Sequence, residues 1–401
     1  MNAAMTAVRK TSTERILDVA CDIGVRMGID AIGVRAVARE ADISPSLVSY
    51  HFKGRDVLLA ALHEAIMRDH YADLLQQLDK VKALPGHMRS PGSFLTASIS
   101  RHVHKFKPLT LLLLELRMHA SLMDDPVEVA MARHFWQEFG TIFDVPDRVI
   151  RLWAVIADAV LWYAILDDDP LVSQTWIGRA FVRFAARLEG LPDHPVAPAL
   201  PDVVAAPPDA GTQAGDVEVS RSQEITQAAI RLIARGEKIS HRAIAKEAGL
   251  PLAATVYFFA SKDDILADAY KTIYEMMIGD LKVIVGKSSQ ISVIANGKVA
   301  PIPALFGKLI LHTARNGEGS TLARRMRDTR GTSSLKVLQQ QGVDADRLDA
   351  LVWSLCHGPY SPFIFGLPAS ERMAQFDAHI ADVSNKVFGL GQSALEGGRL
   401  V

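Results

Sequence analysis

The chain has 401 residues, of which 49% are hydrophobic, and a formal net charge of −1. This length is enough for two or more domains with cores of their own, and the balanced charge excludes a broadly basic nucleic-acid binder, so any DNA binding must come from local basic surfaces. With only two distant cysteines, Cys21 and Cys356, the chain has no disulfide framework. We expect a cytoplasmic protein that does not contact a membrane, because no apolar run at the N-terminus suits a signal peptide and none elsewhere is long enough to span a bilayer.

Apolar residues recur at spacings of three and four along most of the chain, which predicts helices and an all-α fold. The first helix follows a start signal at Thr11–Glu14. Only the segment 281–299 leaves helix and strand open. The apolar stripes fall within the segments 16–23, 57–66, 152–163, 225–232 and 265–273.

A segment with six prolines, 191–216, predicts a semi-extended linker between two halves. The expected division is a first head at 1–66, a helical ligand-binding or pairing domain at 67–190, the linker at 191–216, a second head at 217–275 and a second helical domain at 276–395.

A 21-residue pattern occurs twice, first as AVAREADISPSLVSYHFKGRD at Ala36–Asp56 and again as AIAKEAGLPLAATVYFFASKD at Ala243–Asp263. The copies align without a gap, and Tyr50 and Tyr257 lie 207 residues apart. A repeat at this distance indicates duplication of a whole domain rather than a solenoid unit.

The first copy has the features of a helix-turn-helix. Asp42 ends a small-residue helix at a position where glycine is commoner, Ser44 is a good N-cap, and Pro45 suits the first helical position. Val48 and Phe52 share the buried face of the next helix. A short helix whose other face is small and polar can enter the major groove of DNA.

Residues 14–66 resemble the N-terminal DNA-binding domain of the TetR family of transcriptional regulators. The resemblance rests on an Ile-x-x-Ala helix (Ile16 to Ala20), an Ile-Ala-x-x-Ala-Gly-Val-Ser helix and turn (Val37 to Ser44), a recognition helix ending in Tyr50-His51-Phe52, and the entry to a fourth helix at Arg55–Leu58. Asp42 replaces the turn glycine, Ser49 stands where an aromatic residue is usual, and Arg55 replaces lysine.

The second copy departs further from this pattern. Pro251 replaces the capping serine, at a cost of about 1 kcal/mol if nothing else caps that end. Its recognition helix, Leu252–Phe259, has few hydrogen-bond donors, so it can touch thymine methyl groups more readily than it can read bases by hydrogen bonding. A one-residue slip that aligns Thr255-Val256-Tyr257 with the family's Thr-Leu-Tyr is the alternative register.

The resemblance implies contacts with double-stranded DNA through both heads. The residues expected to contact DNA are Arg35, Ser44, Pro45, Ser46, Ser49, Tyr50, His51, Lys53, Arg55, Arg242, Leu252, Ala253, Thr255, Tyr257 and Lys262. Arg235, Lys238 and His241 are further candidates for phosphate contacts.

A small-molecule pocket is expected in the helical domains, by analogy with the fold. Its candidate lining residues are His102, His119, Trp136, Trp162, His357 and Tyr360, although aromatic residues at such spacing more often belong to the core. The sequence contains no catalytic motif and no converging set of metal ligands, so we expect no enzyme activity, cofactor or metal.

The sequence thus predicts two tandem TetR-like units, each a three-helix head with a helical ligand-binding and dimerisation domain. It predicts a repressor that a small-molecule effector releases, with the halves paired inside one chain on an asymmetric operator. Whether such chains pair further is open. The alternative is a helical ligand sensor or protein-partner module whose degenerate helix-turn-helix does not bind DNA.

Overall fold

The computed structural model describes residues 11–119, 126–190, 216–235, 237, 239–285, 301–316, 321–357 and 369–390. The regular secondary structure of these ranges is helical throughout, which confirms the all-α fold class. Cys21 and Cys356 are free thiols.

The first half, residues 11–190, contains nine α-helices in its described part. They are α1 (Ser12–Met27), α2 (Val34–Glu40), α3 (Pro45–His51), α4 (Arg55–Lys82), α5 (Pro91–His104), α6 (Lys107–Arg117), α7 (Pro126–Phe143), α8 (Asp147–Ala164) and α9 (Pro170–Glu189). Single 3-10 turns lie at Ile29–Ala31 and Gly86–Met88.

The second half, residues 216–390, also contains nine α-helices where it is described. They are α10 (Asp216–Arg235), α11 (His241–Ala248), α12 (Leu252–Phe258), α13 (Lys262–Val285), α14 (Pro301–Asn316), α15 (Thr321–Asp328), α16 (Thr332–Gln340), α17 (Arg347–Cys356) and α18 (Ala369–Asp382). A π-helical turn, Val383–Val387, follows α18.

We call α1–α3 the first head and α10–α12 the second head. The third helix of each head begins and ends at positions 207 residues apart, and the following helices, α4 and α13, begin at the same offset. These bounds agree with the ungapped register rather than the one-residue slip. Of the segment 281–299, for which the sequence left helix and strand open, the described residues 281–285 form the end of helix α13.

The predicted domain boundaries at 66 and 275 do not coincide with the ends of helices. Both fall inside continuous helices, α4 and α13, which carry each head directly into its helical domain. The buried face of α4 has a spacing of three to four from Leu58 to Leu78, so it packs against the head at one end and the helical domain at the other. The segment 191–215, which contains most of the predicted linker, lies outside the described residues.

The two halves pack against each other through their helical domains. Helix α17 of the second half contacts both α8 and α9 of the first, and α14 contacts α6 and α8. Aromatic side chains fill the first domain, where the rings of Trp136, Phe139 and Phe143 follow one another at 4.8 Å. Since these residues recur at helical spacing, they form the core of the bundle.

Candidate nucleic-acid interface

Local hydrogen bonds that the sequence specifies cap the helices of the first head. The Thr11 side chain accepts a hydrogen bond from the Glu14 amide and the Glu14 carboxylate accepts one from the Thr11 amide, a capping box that starts α1. The Ser44 hydroxyl accepts from the Leu47 amide and caps α3, with Pro45 at its first position. These caps satisfy amides that the helices leave unpaired.

The turn between the second and third helices uses the left-handed region in both heads. Asp42 has φ of 51° and Gly249, 207 residues later, has φ of 69°. Aspartate tolerates this conformation better than most residues, although glycine adopts it with less strain. The substitution noted in the sequence therefore preserves the turn.

A glutamate on the second helix of each head forms ion pairs with arginine on the first helix. Arg26 bonds to Glu40 in the first head, and Arg235 bonds to Glu247 in the second, with an Nη2–Oε2 distance of 2.6 Å. Hydrogen bonds from Arg235 and Arg231 lower the pKa of Glu247 to about 2. The two heads thus share the glutamate of this ion pair, at positions 207 residues apart.

The third helix of the first head exposes the polar face that its sequence predicts. Val48 is buried, whereas Ser46, Ser49 and Tyr50 are exposed, and the Tyr50 side chain is 80% exposed. His51 is half-buried and its Nδ1 lies 3.1 Å from the Thr13 hydroxyl. Its other ring nitrogen, Nε2, can form a hydrogen bond with a partner outside the head.

The third helix of the second head exposes an apolar face at the corresponding positions. Leu252 is 45%, Val256 53% and Tyr257 75% exposed, and Ala253 is also exposed. The predicted lack of a side-chain cap is found, because Pro251 occupies the N-cap and offers no acceptor. This face offers methyl groups and one phenol to a partner.

The prediction that Thr255 contacts DNA is wrong. Thr255 is buried, its hydroxyl donates to the Leu252 carbonyl oxygen at 2.8 Å, and His241 Nδ1 lies 3.2 Å from the Thr255 hydroxyl oxygen. In the ungapped register Thr255 corresponds to the core residue Val48, so the sequence held the signal that places it inside. His241, a candidate phosphate partner, is also engaged within the head.

The interpretation of Arg55 as a phosphate ligand is also corrected. Its Nε donates to the Ile32 carbonyl oxygen at 2.8 Å and its Nη2 to that of Ile29 at 2.9 Å, so the guanidinium caps the 3-10 turn at Ile29–Ala31. Lys262, at the same offset, is half-buried; burial lowers the pKa of the His312 imidazole, and the nearby Lys262 charge lowers it further. Both cations at the start of the fourth helix thus lie against the body of the protein.

Basic side chains on the second helix of each head are better placed for phosphates. Arg35 and Arg242 are exposed as predicted, and the sequence reasoning missed Arg39 and Lys246, one turn further along the same helices. All four are exposed and make no ion pair within the described part of the chain. The sequence could have indicated Arg39 and Lys246, since the two cations of each head are four residues apart and recur after 207 residues. Lys53 is exposed after α3, and Lys238 lies outside the described residues.

The five predicted pocket residues that the structure describes do not line the cavity found between the two halves. Trp162 is fully buried, and Trp136 packs edge-on against Phe139. The Nδ1 atoms of His102 and His357 bond to carbonyl oxygens one turn earlier in their own helices. Burial lowers the pKa of His357 to about 3, which keeps the imidazole neutral.

His119 lies beside Arg55, and Tyr360 lies outside the described residues. Core packing or local hydrogen bonds occupy the side chains of Trp136, Trp162, His102 and His357, so their role in a pocket stays a prediction. No group of three or more metal-ligating side chains converges in the ranges described. Every helix that the structure describes is too short or too polar to span a lipid bilayer.

The first head is similar in sequence to known proteins. Residues 16–62 match the family described as bacterial regulatory proteins, tetR family. Over 54 residues the chain is 44% identical to an uncharacterized HTH-type transcriptional regulator in the dhlA 5′ region of Xanthobacter autotrophicus, and this match covers 14% of the chain and 27% of that protein. The chain thus spans about a quarter of that relative's length. Residues 16–62, which comprise α1 from its second turn, α2, α3 and the start of α4, are a TetR-family helix-turn-helix domain.

Proposed function

We propose that the chain is a DNA-binding transcriptional repressor in which both heads contact one asymmetric operator and a small-molecule effector releases them. The observation that carries this proposal is that both heads present the same arrangement, an exposed third helix beside two exposed cations on the second helix. Those cations are Arg35 and Arg39 in one head and Arg242 and Lys246 in the other. Such cations position a helix on the phosphate backbone, while the third helix reads the bases.

The two third helices favour different base sequences. Ser46, Ser49 and Tyr50 offer hydroxyl groups that can donate and accept hydrogen bonds at base edges. Leu252 and Val256 suit contacts with thymine methyl groups. Since one chain carries both surfaces, its preferred operator has unlike arms, separated by about one helical turn of DNA, roughly 34–36 Å.

Charge in one part of the contact between the helical domains favours pairing of unlike halves, whereas Arg315–Glu115 and Arg327–Asp167 cross the contact in the opposite sense. In the interface formed by α8, α9, α17 and α18, the first half contributes cations and the second half contributes carboxylates. The pairs are Arg183–Asp346 and Arg183–Asp349 at 3.0 Å, Arg187–Asp349 at 2.7 Å and Arg151–Asp382 at 3.1 Å. Two first halves placed together in this way would oppose arginine to arginine, which specifies unlike partners.

Asp349 is the centre of this interface. Its side chain is 1% exposed and accepts hydrogen bonds from both Arg183 and Arg187. Although burial favours the protonated acid, the arginines hold its pKa below the usual range. Removal of a partner from such a buried group costs about 3–5 kcal/mol. We therefore expect Asp349→Asn to loosen the two halves in the intact chain, measured as faster amide exchange of α9 and α17.

A chain of contacts joins this pairing to the first head. Glu115 of α6 accepts a hydrogen bond from the Ile29 amide at 3.0 Å and from Arg315 of the second half at 2.6 Å. Arg315 also donates to the Val25 carbonyl oxygen at the end of α1. A change in how the halves pack would move these groups, which supports a mechanism in which the effector releases DNA. The effector can shift the equilibrium between the two arrangements by no more than the difference in its affinity for them.

Footprinting of the full chain on DNA selected from a random pool tests the function. The expected operator has two arms of different sequence, both protected. Arg35→Ala with Arg39→Ala and, separately, Arg242→Ala with Lys246→Ala are each expected to reduce the slope of log affinity against log salt by about 2, since two phosphate contacts are lost. A perfect palindrome with equal dependence on both arms would contradict pairing within one chain.

The apolar face of α12 favours a second candidate function. Leu252, Val256 and Tyr257 form an exposed patch suited to a protein surface as well as to thymine methyl groups. If Arg242→Ala with Lys246→Ala leaves footprint and salt slope unchanged while the first-head variant abolishes them, the second head is a protein-partner module. If neither variant matters and no sequence is selected, the chain is a ligand sensor that does not bind DNA.

A further inference from the structure

A cavity of about 630 Å³ lies between the two halves. Its first-half wall comes from the end of α8 and the start of α9, and its second-half wall comes from the end of α15, the turn after it, and α17. The lining is mainly apolar and includes Leu171, Val172, Leu351 and Leu355, with the Trp176 ring at one side. The volume falls within the range usual for small-molecule sites, roughly 300–1,000 Å³.

Two arginines border this cavity, and their surroundings differ. Arg327 is neutralised, because Asp167 and Asp328 each lie 2.8 Å from its guanidinium. Asp328, which also borders the cavity, is thereby engaged. Arg330 has no carboxylate within 4 Å in the described ranges; it donates to the Tyr163 hydroxyl and to the Ser354 carbonyl oxygen.

The guanidinium of Arg330 keeps an unused donor. Its Nε is fully buried and has no hydrogen-bond partner among the described residues, while its central carbon lies 4.3 Å from the centroid of the Tyr163 ring. The guanidinium as a whole borders the cavity and has no carboxylate partner in the described ranges, so it is suited to an anion from outside the protein. A ligand carboxylate would give it a charge-assisted hydrogen bond.

The backbone fixes this arginine at the cavity wall. Gly331 follows it with φ of 80°, and a Cβ atom there would lie 2.6 Å from the Ala350 carbonyl oxygen. The turn after α15 therefore packs directly on α17, which only glycine permits. Arg330 is consequently presented by a close backbone contact rather than by a loose loop.

We propose that this cavity binds an apolar small molecule with one carboxylate, whose acid group pairs with Arg330 and whose body contacts Leu171, Val172, Leu351 and Leu355. This proposal names a class of effector for the proposed function. Binding of the acid does not depend on that function, but the release of DNA does. Because the walls belong to both halves, such a ligand binds tightly to one arrangement of the halves and weakly to others. It is thereby able to change the spacing of the heads.

Calorimetric titration of the full chain without DNA tests the site directly. The probes are two acids of different shape, 4-phenylbutyrate and decanoate, and their neutral counterparts, 4-phenylbutanol and decanol. We expect at least one acid to bind at a single site about tenfold or more tightly than its alcohol, which is about 1.4 kcal/mol for the charged contact. Failure of both acids to saturate a site at millimolar concentration, or equal binding of acid and alcohol, overturns the proposal.

Variants then locate the bound acid. Arg330→Gln is expected to abolish the preference for acid over alcohol, while Arg324→Gln, which alters an exposed arginine of the preceding helix α15, leaves it unchanged. Should Arg330→Gln disturb folding, Val172→Glu at the rim supplies a milder test, with Val172→Gln as its control. The added carboxylate is expected to weaken the acid several-fold and leave the alcohol unaffected. Preference retained in a folded Arg330→Gln variant overturns the assignment.

The DNA measurements keep this result separate from the proposed function. If the chain footprints an operator but binds neither acid, only the effector site is wrong. If an acid binds at Arg330 but no operator is found, the site is upheld and the regulator function is not. If the acid binds and operator affinity is unchanged by saturating acid, the cavity binds its ligand without controlling the heads.

Discussion

The third helices of the two heads, Pro45–His51 and Leu252–Phe258, have the same length and the same place between their neighbours but expose different chemistry. One is capped by a serine and presents hydroxyl groups, whereas the other is uncapped and presents methyl groups. Both keep an exposed tyrosine as the sixth residue of the helix, Tyr50 and Tyr257. The difference indicates that the frame of a helix-turn-helix is set by a few turn and core positions, which leaves its outer face able to diverge.

The largest expected difference between the heads is in DNA affinity. Ser46→Ala with Tyr50→Ala removes the hydroxyl groups and ring of the first head, and we expect a loss of about 1–3 kcal/mol, or roughly 5- to 150-fold, against the selected operator. Leu252→Ala with Tyr257→Ala is expected to cost less than about tenfold, because it removes mainly apolar contacts. Gel-shift titration at one stated salt concentration measures both, and equal losses would contradict the ranking of the heads.

The core position of the third helix comes next. Val48→Thr makes the first head resemble the second, and it buries a hydroxyl group without the imidazole that Thr255 has in His241. We expect the first head to lose about 1–2 kcal/mol of unfolding free energy.

A second substitution tests the cause of this loss. The residue 207 positions before His241 is Val34, so Val34→His supplies the corresponding imidazole and should recover much of the lost free energy.

Amide hydrogen exchange of peptides from each head in the intact chain measures this pair of variants. The second head is the internal control, since its protection should stay constant. If Val34→His gives no recovery, the His241–Thr255 hydrogen bond is not what makes a buried threonine acceptable there.

The turn residues predict effects of opposite sign in the two heads. Gly249→Ala forces a side chain into the left-handed region and is expected to destabilise the second head by about 1 kcal/mol. Asp42→Gly relieves the milder strain in the first head and is expected to stabilise it by less than that, because glycine also loses more chain entropy on folding. Exchange protection of α2 and α11 reports both; a destabilising Asp42→Gly would show that the aspartate side chain itself holds the turn.

The smallest difference concerns the cap. Ser44→Ala removes the acceptor for the Leu47 amide and is expected to cost the first head about 1 kcal/mol. Pro251→Ser supplies the missing acceptor in the second head and is expected to gain about 0.5 kcal/mol or more. Helix protection near each N-terminus measures the two variants, and a loss on Pro251→Ser would mean that the rigidity of proline outweighs a cap at that position.

Several features of this protein follow from the sequence by itself. Helix starts at Ser12 and Pro45, the buried face that includes Val48, and the left-handed turn at residue 42 depend on neighbouring residues, so periodicity and capping residues are enough to predict them. The equal spacing of the repeats likewise predicts the register of the second head. Even the burial of Thr255 was contained in that register, although residue type alone suggested a surface position.

Only the tertiary structure decided what distant groups do. Arg55 caps a turn more than twenty residues away, Asp349 joins two arginines of the other half, and the cavity at Arg330 has walls more than 150 positions apart in the chain. The six pocket residues were chosen by type, but a buried histidine or tryptophan is equally suited to a core whose own carbonyl oxygens and rings satisfy it. Local sequence fixes which face a helix buries, whereas the partner that covers that face depends on how the halves pack.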